Sequence, residues 1–520
     1  MDPVLAKLCK IEGNIDALDS LSLIQIEVSY PAPPWKVKGY FFSGAHTCTS
    51  ITEHAGFQIP LPIQHQSVSL DSGKIKAILS HDEIGKETDK TILLRQGLYT
   101  LLTKVTGHMP PWGILTGIRP SKILHRLNDL GTSVDLAGKI LQERYSIRED
   151  KARLLQEVVA IQKPYLEEIK DPKQVAVYVG IPFCPTRCSY CSFPAYSLQQ
   201  GREPLQTYLH GLYDEIRVTG EWMKEKRLCA DSLYIGGGTP TILTTSEITE
   251  LLQWIKEKIP LTASEKMPMG LGISEASVRQ GVLRGVELTV EAGRPDTLSK
   301  EKLQALRDQG VNRLSINPQT MHDRTLQRIG RSHTVEDILR VYRLAREIPG
   351  WIINMDLILG LPGEDVKDVQ ETLGRIARLN PDNLTVHALA IKRGSKEHEL
   401  GLIENLGREL ETMQDIVLSS ARSLGLRPYY LYRQKHIAGN LENIGFARPG
   451  AECRYNIGIM EEQQSIIGIG AGASSKVVNP SDYSLVNFQH PSNWQVYLKR
   501  WRGTHAKREE AWRRLRFRKI

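Results

Sequence analysis

Long apolar runs are missing from this 520-residue chain, and with them any stretch that reads as a membrane span. The opening residues, "MDPVLAKLCKIEGN", lack the apolar core of a secretory leader, so the expected location is the cytoplasm. Cysteine is scarce. Seven in the whole chain, an odd number, do not make a disulfide framework and suit a reducing compartment. Repeats and low-complexity tracts are absent, which sets aside solenoid arrays. A chain-wide basic surface is lacking too. The segment 499–520 holds ten Lys or Arg against two Glu, a surplus equal to the entire net charge of +8. Charge therefore gives no reason to expect a nucleic-acid partner. "REEAWRRLRFRKI" reads as a solvated, partly frayed tail in preference to a basic amphipathic segment on an acidic partner or membrane surface.

What is present is an ordinary globular composition, 41% hydrophobic and 24% charged, in a chain too long for one core. From residue 175 a strand-like apolar segment recurs, each followed by a helical pattern. The segments are "VAVYVGIPF" (175–183), "SLYIGGG" (232–238), "VELTVEA" (286–292), "RLSINPQ" (313–319), "WIINMDLIL" (351–359) and "LTVHALA" (384–390). Six β-then-α units in series predict a parallel sheet, because parallel neighbours need a crossover of that length. A three-quarter barrel fits six units, and an open doubly wound sheet is its rival.

The first 170 residues alternate like antiparallel strands in "LSLIQIEVSY" and "WKVKGYFF", then turn helical. The fold class expected is α/β: a partial (β/α)6 barrel with an N-terminal α+β domain and a C-terminal α+β extension. The boundaries expected are 1–170, 171–395 for the barrel, 396–498 for a covering region, and 499–520 for the tail. "GLGISEASVRQGV" (270–282) reads as a surface insertion.

Three of the seven cysteines, Cys184, Cys188 and Cys191, fall within eight residues. Random placement gives that spacing in only about one such chain in a thousand, so it needs a cause. Zinc calls for four ligands with paired C-x2-C hooks, and no second hook exists here. A redox C-x-x-C would leave Cys184 idle. An iron–sulfur cluster is thiolate-ligated, and a [4Fe–4S] cube on three cysteines keeps one iron open for something that is not protein. The loop begins where the first strand ends, and active sites of β/α barrels lie at the C-terminal ends of strands. Along the same rim the second strand ends in "GGGTP" (236–240), the third in Glu291, the fourth in Gln319, and the fifth carries Asp356.

C-x3-C-x2-C with Tyr190 before the last cysteine, followed by "GGGTP", resembles the radical S-adenosylmethionine superfamily. "IGGGTPT", "EAGRPD", "RLSINPQT", "IGRSHT" and "INMDLILGLPGE" resemble the oxygen-independent coproporphyrinogen III oxidases. The N-terminal extension and "LTGIRPSKI" (115–123) point to the coproporphyrinogen dehydrogenase HemZ-type branch. The resemblance implies a radical-SAM partial barrel in which Cys184, Cys188 and Cys191 ligate the [4Fe–4S] cluster and S-adenosylmethionine chelates its open iron. Gly236, Gly237 and Thr239 would line the methionine moiety, and Tyr178, Phe193, Glu291, Gln319, Arg331 and Asp356 would pack or hydrogen-bond around the cofactor. "IIGIGAGASSK" (466–476) matches a glycine-rich stretch near the adenosine.

The implied reaction is hydrogen abstraction from the propionates of coproporphyrinogen III by a 5′-deoxyadenosyl radical, with loss of CO2 to leave vinyl groups. An electron donor such as flavodoxin or ferredoxin is the expected partner. Lys392 and Arg393, just past the sixth strand, are the candidate cations for substrate carboxylates. One departure stands out: the family usually carries His where this chain has Gly180. A haem chaperone and a radical methyltransferase are the alternative functions.

Overall fold

The computed structural model describes residues 21–29, 35–43 and 47–55 as backbone and single positions between 92 and 107. It then describes residues 109–169, 171–191, 196–198, 201–262, 285–390, 407–434, 437–479 and 483–516. "GLGISEASVRQGV" and most of "AIKRGSK" (390–396), including Lys392 and Arg393, lie outside the described residues, as does Phe193. The chain divides into two compact units, one of residues 1–160, 403–411 and 431–442, the other of the remainder.

In the first unit, β1 (Leu21–Ser29), β2 (Trp35–Ser43) and β3 (Thr47–Ala55) pair antiparallel, as their alternation predicts. Further along, "LTGIRPSKI" is tied to the returning segment 431–442. The Arg433 amide donates to Ile118 O at 2.7 Å, and its guanidinium lies over the Trp112 ring. Lys151 and Glu442, almost fully buried, pair at 2.7 Å, and Trp112 Nε1 donates to the other Glu442 oxygen. A buried pair of this kind is tolerable only when its remaining atoms are bonded, and the indole supplies that bond.

The second unit is built on one sheet. Its strands are β4 (Gln174–Ile181), β7 (Cys229–Gly237), β8 (Glu287–Glu291), β9 (Arg313–Ser315), β10 (Ile352–Leu359) and β11 (Asn383–Ala388), all parallel and neighbours in sequence order. Within these six strands the order never reverses, as a doubly wound sheet would at its switch point. Between β4 and β7 a short parallel pair, β5 (Phe183–Cys184) and β6 (Tyr196–Ser197), brackets the cysteine loop. The intervening helices are fixed by local chemistry. Thr244 with Glu247, Thr334 with Asp337, and Asp365 with Asp368 form capping boxes that start the helices after β7, β9 and β10. In the last of these, Val369, Thr372, Leu373 and Ile376 make the buried stripe at helical spacing.

The stretch after residue 396 extends both edges of this same sheet. On one side β13 (Asn443–Ala447) pairs antiparallel with β11, and β12 (Arg427–Tyr432) lies beside it. On the other, β14 (Ile466–Ile469) pairs parallel with β4, followed by β15 (Ser474–Val478) and β16 (Leu485–Gln489) in antiparallel order.

The expected frayed tail needs correction: Trp494–Arg516 is one helix. Tyr497, Trp501, His505, Arg508 and Trp512 are buried along one stripe, while Lys499, Arg500, Lys507 and Arg513 face solvent. Trp222, on the helix Glu203–Lys226, meets Trp512 edge-on at 5.8 Å, and the Arg508 guanidinium lies over the Trp222 ring. The segment is amphipathic, as the set-aside alternative had it, but its apolar stripe packs on the helix Glu203–Lys226. Among the described residues no helix is long and apolar enough to cross a membrane.

Candidate active site

Parallel register stacks side chains in levels across the strands. Tyr178 stands opposite Tyr234, and their rings stack with that of Tyr455, from the helix Arg454–Glu461, at centroid distances of 4.5 to 6.2 Å. Two residues on, Gly180 stands opposite Gly236; Glu291 stands opposite Ser315, and Ser315 opposite Asn354. The tyrosines make a floor, and the glycines leave the level above it open on one side.

The Glu291 carboxylate reaches across that opening. It accepts from Tyr234 OH at 2.7 Å and from the Gly237 amide at 3.1 Å. A Cβ on Gly236 would sit 2.9 Å from the same carboxylate, and one on Gly238 would sit 2.9 Å from Cys184 Sγ. These glycines thus serve first to let the protein's own groups approach one another. Amides of Gly238 and Thr239 continue the ladder onto Ile181 O and Phe183 O, each at 2.8 Å, and Thr239 Oγ1 donates to Cys184 Sγ at 3.3 Å.

The cysteine loop is clamped from the far side. The Ser189 amide donates to Ile329 O at 3.1 Å, and Thr186 Oγ1 to Gly330 O at 3.2 Å. Arg331, 8% exposed, donates through Nη1 to Gly293 O and Asn317 O and through Nη2 to Tyr190 OH. Arg294, also buried, reaches Thr186 Oγ1 at 3.0 Å, Ser332 Oγ at 2.8 Å and Asp296. "EAGRPD" and "IGRSHT" are therefore the two jaws of one clamp on the loop.

Asp356 accepts from Asn354 Nδ2 at 2.7 Å. Gln319 has φ +68°, rare for a residue with a side chain, and is held there because its amide donates to Asp356 O and its carbonyl accepts from the Ile358 amide. Its Oε1 is buried and bonded to no protein group.

The donor set fits the group expected. Cys184, Cys188 and Cys191 form no disulfide and are half-buried. Burial pushes the Cys184 thiol up to about 11, with the Thr239 hydroxyl opposing, so a thiolate there depends on bound metal. Among the described residues no three His, Cys, Asp or Glu side chains gather tightly enough for one metal ion. Convergence on one ion is a stricter demand than a cluster makes, because its ligands sit on separate irons. Burial also pushes Glu291 up to about 7; Tyr234 opposes the shift and Asp356 adds to it, and no cation contributes. Among the described residues neither Glu291 nor Asp356 forms an ion pair, and a sulfonium would supply the positive counterpart.

The structure brings together Tyr178, Gly236, Gly237, Thr239, Glu291, Gln319, Arg331 and Asp356 with the three cysteines at the C-terminal rim of the sheet. The sequence reading did not single out Tyr234, Tyr455, Arg294 or Asn317. Tyr234 had a signal, standing two residues before Gly236 on the same strand face. Tyr455 had none, since its helix joins the floor only through the tertiary fold.

Residues 178–376 match the family model of the Radical SAM superfamily, whose cofactors are a [4Fe–4S] cluster and S-adenosylmethionine. Over 491 residues the chain is 38% identical to the oxygen-independent coproporphyrinogen-III oxidase-like protein HemZ of Bacillus subtilis, covering 90% of this chain and 92% of that one. The chain belongs to that oxidase-like family. It is also 31% identical to the heme chaperone HemW of B. subtilis, over 57% of this chain and 70% of that protein. Among solved structures, the coproporphyrinogen III oxidase HemN of Escherichia coli aligns with a TM-score of 0.49 and 21% identity, over 66% of this chain and 71% of that one.

Proposed function

We propose that the protein is an oxygen-independent coproporphyrinogen III oxidase, converting two propionates to vinyl groups to give protoporphyrinogen IX. The observation that supports the cofactor side of this reading is the pair Glu291 and Asp356, half-buried and without an ion pair among the described residues, beside three cysteines that form no disulfide. The 38% relationship along almost the whole chain supports the substrate side.

Bound together, the reduced cluster and S-adenosylmethionine supply a 5′-deoxyadenosyl radical. The chain's own residues do the rest. Cys184, Cys188 and Cys191 hold the cluster, while Arg294 and Arg331 fix their loop. Glu291 and Asp356 face the cofactor's positive charge and ribose hydroxyls, and Gln319 offers its unpartnered oxygen. The stacked floor of Tyr178, Tyr234 and Tyr455 excludes water from below. Each propionate loses one hydrogen atom, CO2 and one electron, the last to an external acceptor; a flavodoxin or ferredoxin supplies the reducing electron. Lys392 and Arg393 are the proposed anchors for substrate carboxylates.

Anaerobic assay of the reconstituted protein with reductant tests the reading. Coproporphyrinogen III should accelerate release of 5′-deoxyadenosine, and Arg393→Ala should raise the substrate requirement about 30-fold or more, the effect of unpairing one desolvated carboxylate. No stimulation by the porphyrinogen overturns the assignment.

A further inference from the structure

The glycine-rich turn at Gly470–Gly472 abuts the end of β4 through backbone alone. A Cβ on Gly470, at φ +98°, would lie 2.6 Å from Gly180 O, and one on Gly180 would lie 3.2 Å from Ala471 O. The β4–β14 ladder carries the chain as far as Ile469 opposite Val179, and side chains hold the turn beyond it. Tyr208 OH donates to Gly180 O at 2.6 Å and accepts from the Ala471 amide at 3.0 Å, bridging the two segments with one atom. One Glu215 oxygen accepts from the Gly470 amide at 2.9 Å and from Tyr497 OH at 2.6 Å, and His490 Nε2 lies 2.9 Å from the other.

Tyr208 and Glu215 sit seven residues apart on one face of the helix Glu203–Lys226, and Tyr497 comes from the C-terminal helix. All three are fully buried, so they contact neither solvent nor reactants. Burial alone would raise Glu215, but His490, Arg508 and Tyr497 outweigh it and keep the carboxylate ionised. Leaving such groups unpaired is costly, so the node holds one geometry.

We propose that Tyr208 and Glu215 are positioning residues for S-adenosylmethionine: they pin the Gly470–Gly472 turn against Gly180 and so shape the cofactor's rim without holding the cluster. This inference rests on the reading that the rim binds that cofactor. It makes the C-terminal helix, through Tyr497, part of the site's scaffold.

The test uses the full chain with its cluster reconstituted anaerobically. Iron content and melting temperature are measured, and S-adenosylmethionine is titrated by the change it makes in the electron paramagnetic resonance spectrum of the reduced cluster. Tyr208→Phe should keep its iron and bind the cofactor more weakly by about tenfold or more, because both hydrogen bonds of the bridging hydroxyl are lost. Gly180→Ala, which removes no hydrogen bond but crowds Ala471 O, should also weaken binding with iron intact; it decides the matter if Tyr208→Phe fails to fold. Unchanged affinity in the folded variants overturns the proposal, as does loss of iron in both. An unmodified protein whose spectrum ignores S-adenosylmethionine would instead remove the underlying reading, and this inference with it.

Discussion

Glu291 lies between Tyr234 and the Gly237 amide, with Asp356 nearby and no cation contributing to its environment. Its folded pKa, about 7, exceeds the ordinary 4.5, so the cofactor-free folded protein binds this proton more tightly than the unfolded chain does. Its contribution to stability is then fully present below about pH 4.5 and lost as the pH rises through about 7. Denaturation of the cofactor-free protein across that window should show a decline that Glu291→Gln reduces by on the order of 1–3 kcal/mol. S-adenosylmethionine, carrying positive charge, should bind more tightly as the pH rises through the same window, and Glu291→Gln should make that dependence flat. Cys184→Ala, Cys188→Ala and Cys191→Ala should each abolish iron retention, while Cys229→Ala should not, measured as iron per chain. These residues were legible because each stands at a strand end or in a spacing that chemistry restricts. Tyr455 and the Arg294 clamp were not, because their partners lie more than a hundred residues away in sequence.

Among the elements, the six parallel strands and their helices followed from period and order in the sequence, since each unit is local. The edge strands β12–β13 and β14–β16 did not, because β13 joins β11 and β14 joins β4 from far along the chain, which leaves no periodic trace. The C-terminal helix is a different case. Tyr497, Trp501, His505, Arg508 and Trp512 recur at helical spacing, the amphipathic alternative that gave way to a frayed tail when the surplus charge was weighed more heavily. Arg508 shows why the two differ: it is buried, with Nη1 on Gly468 O at 3.2 Å and Nη2 on Thr219 Oγ1 at 3.1 Å. Trp512→Ala should therefore destabilise the protein by about 3–5 kcal/mol, as large-to-small core changes do. Arg500→Ala, on the exposed face, should change stability by less than about 0.5 kcal/mol. Chemical denaturation of the two variants measures both.

At the scale of the whole molecule, a sheet in sequence order carries a cysteine loop, a carboxylate pair and a glycine turn to one rim, and the family has a [4Fe–4S] cluster and S-adenosylmethionine as its cofactors. The chain's relatives include an oxidase-like protein and a heme chaperone, and the two functions differ in what happens to the substrate's carboxyl carbons. The direct measurement is anaerobic turnover of coproporphyrinogen III labelled at the propionate carboxyl groups, with reductant and S-adenosylmethionine. The account predicts two labelled CO2 released for each protoporphyrinogen IX formed, with 5′-deoxyadenosine appearing in step and all three lost in Cys188→Ala. Carboxyl label left intact in the porphyrinogen, while the same preparation binds haem and cleaves S-adenosylmethionine, would contradict it.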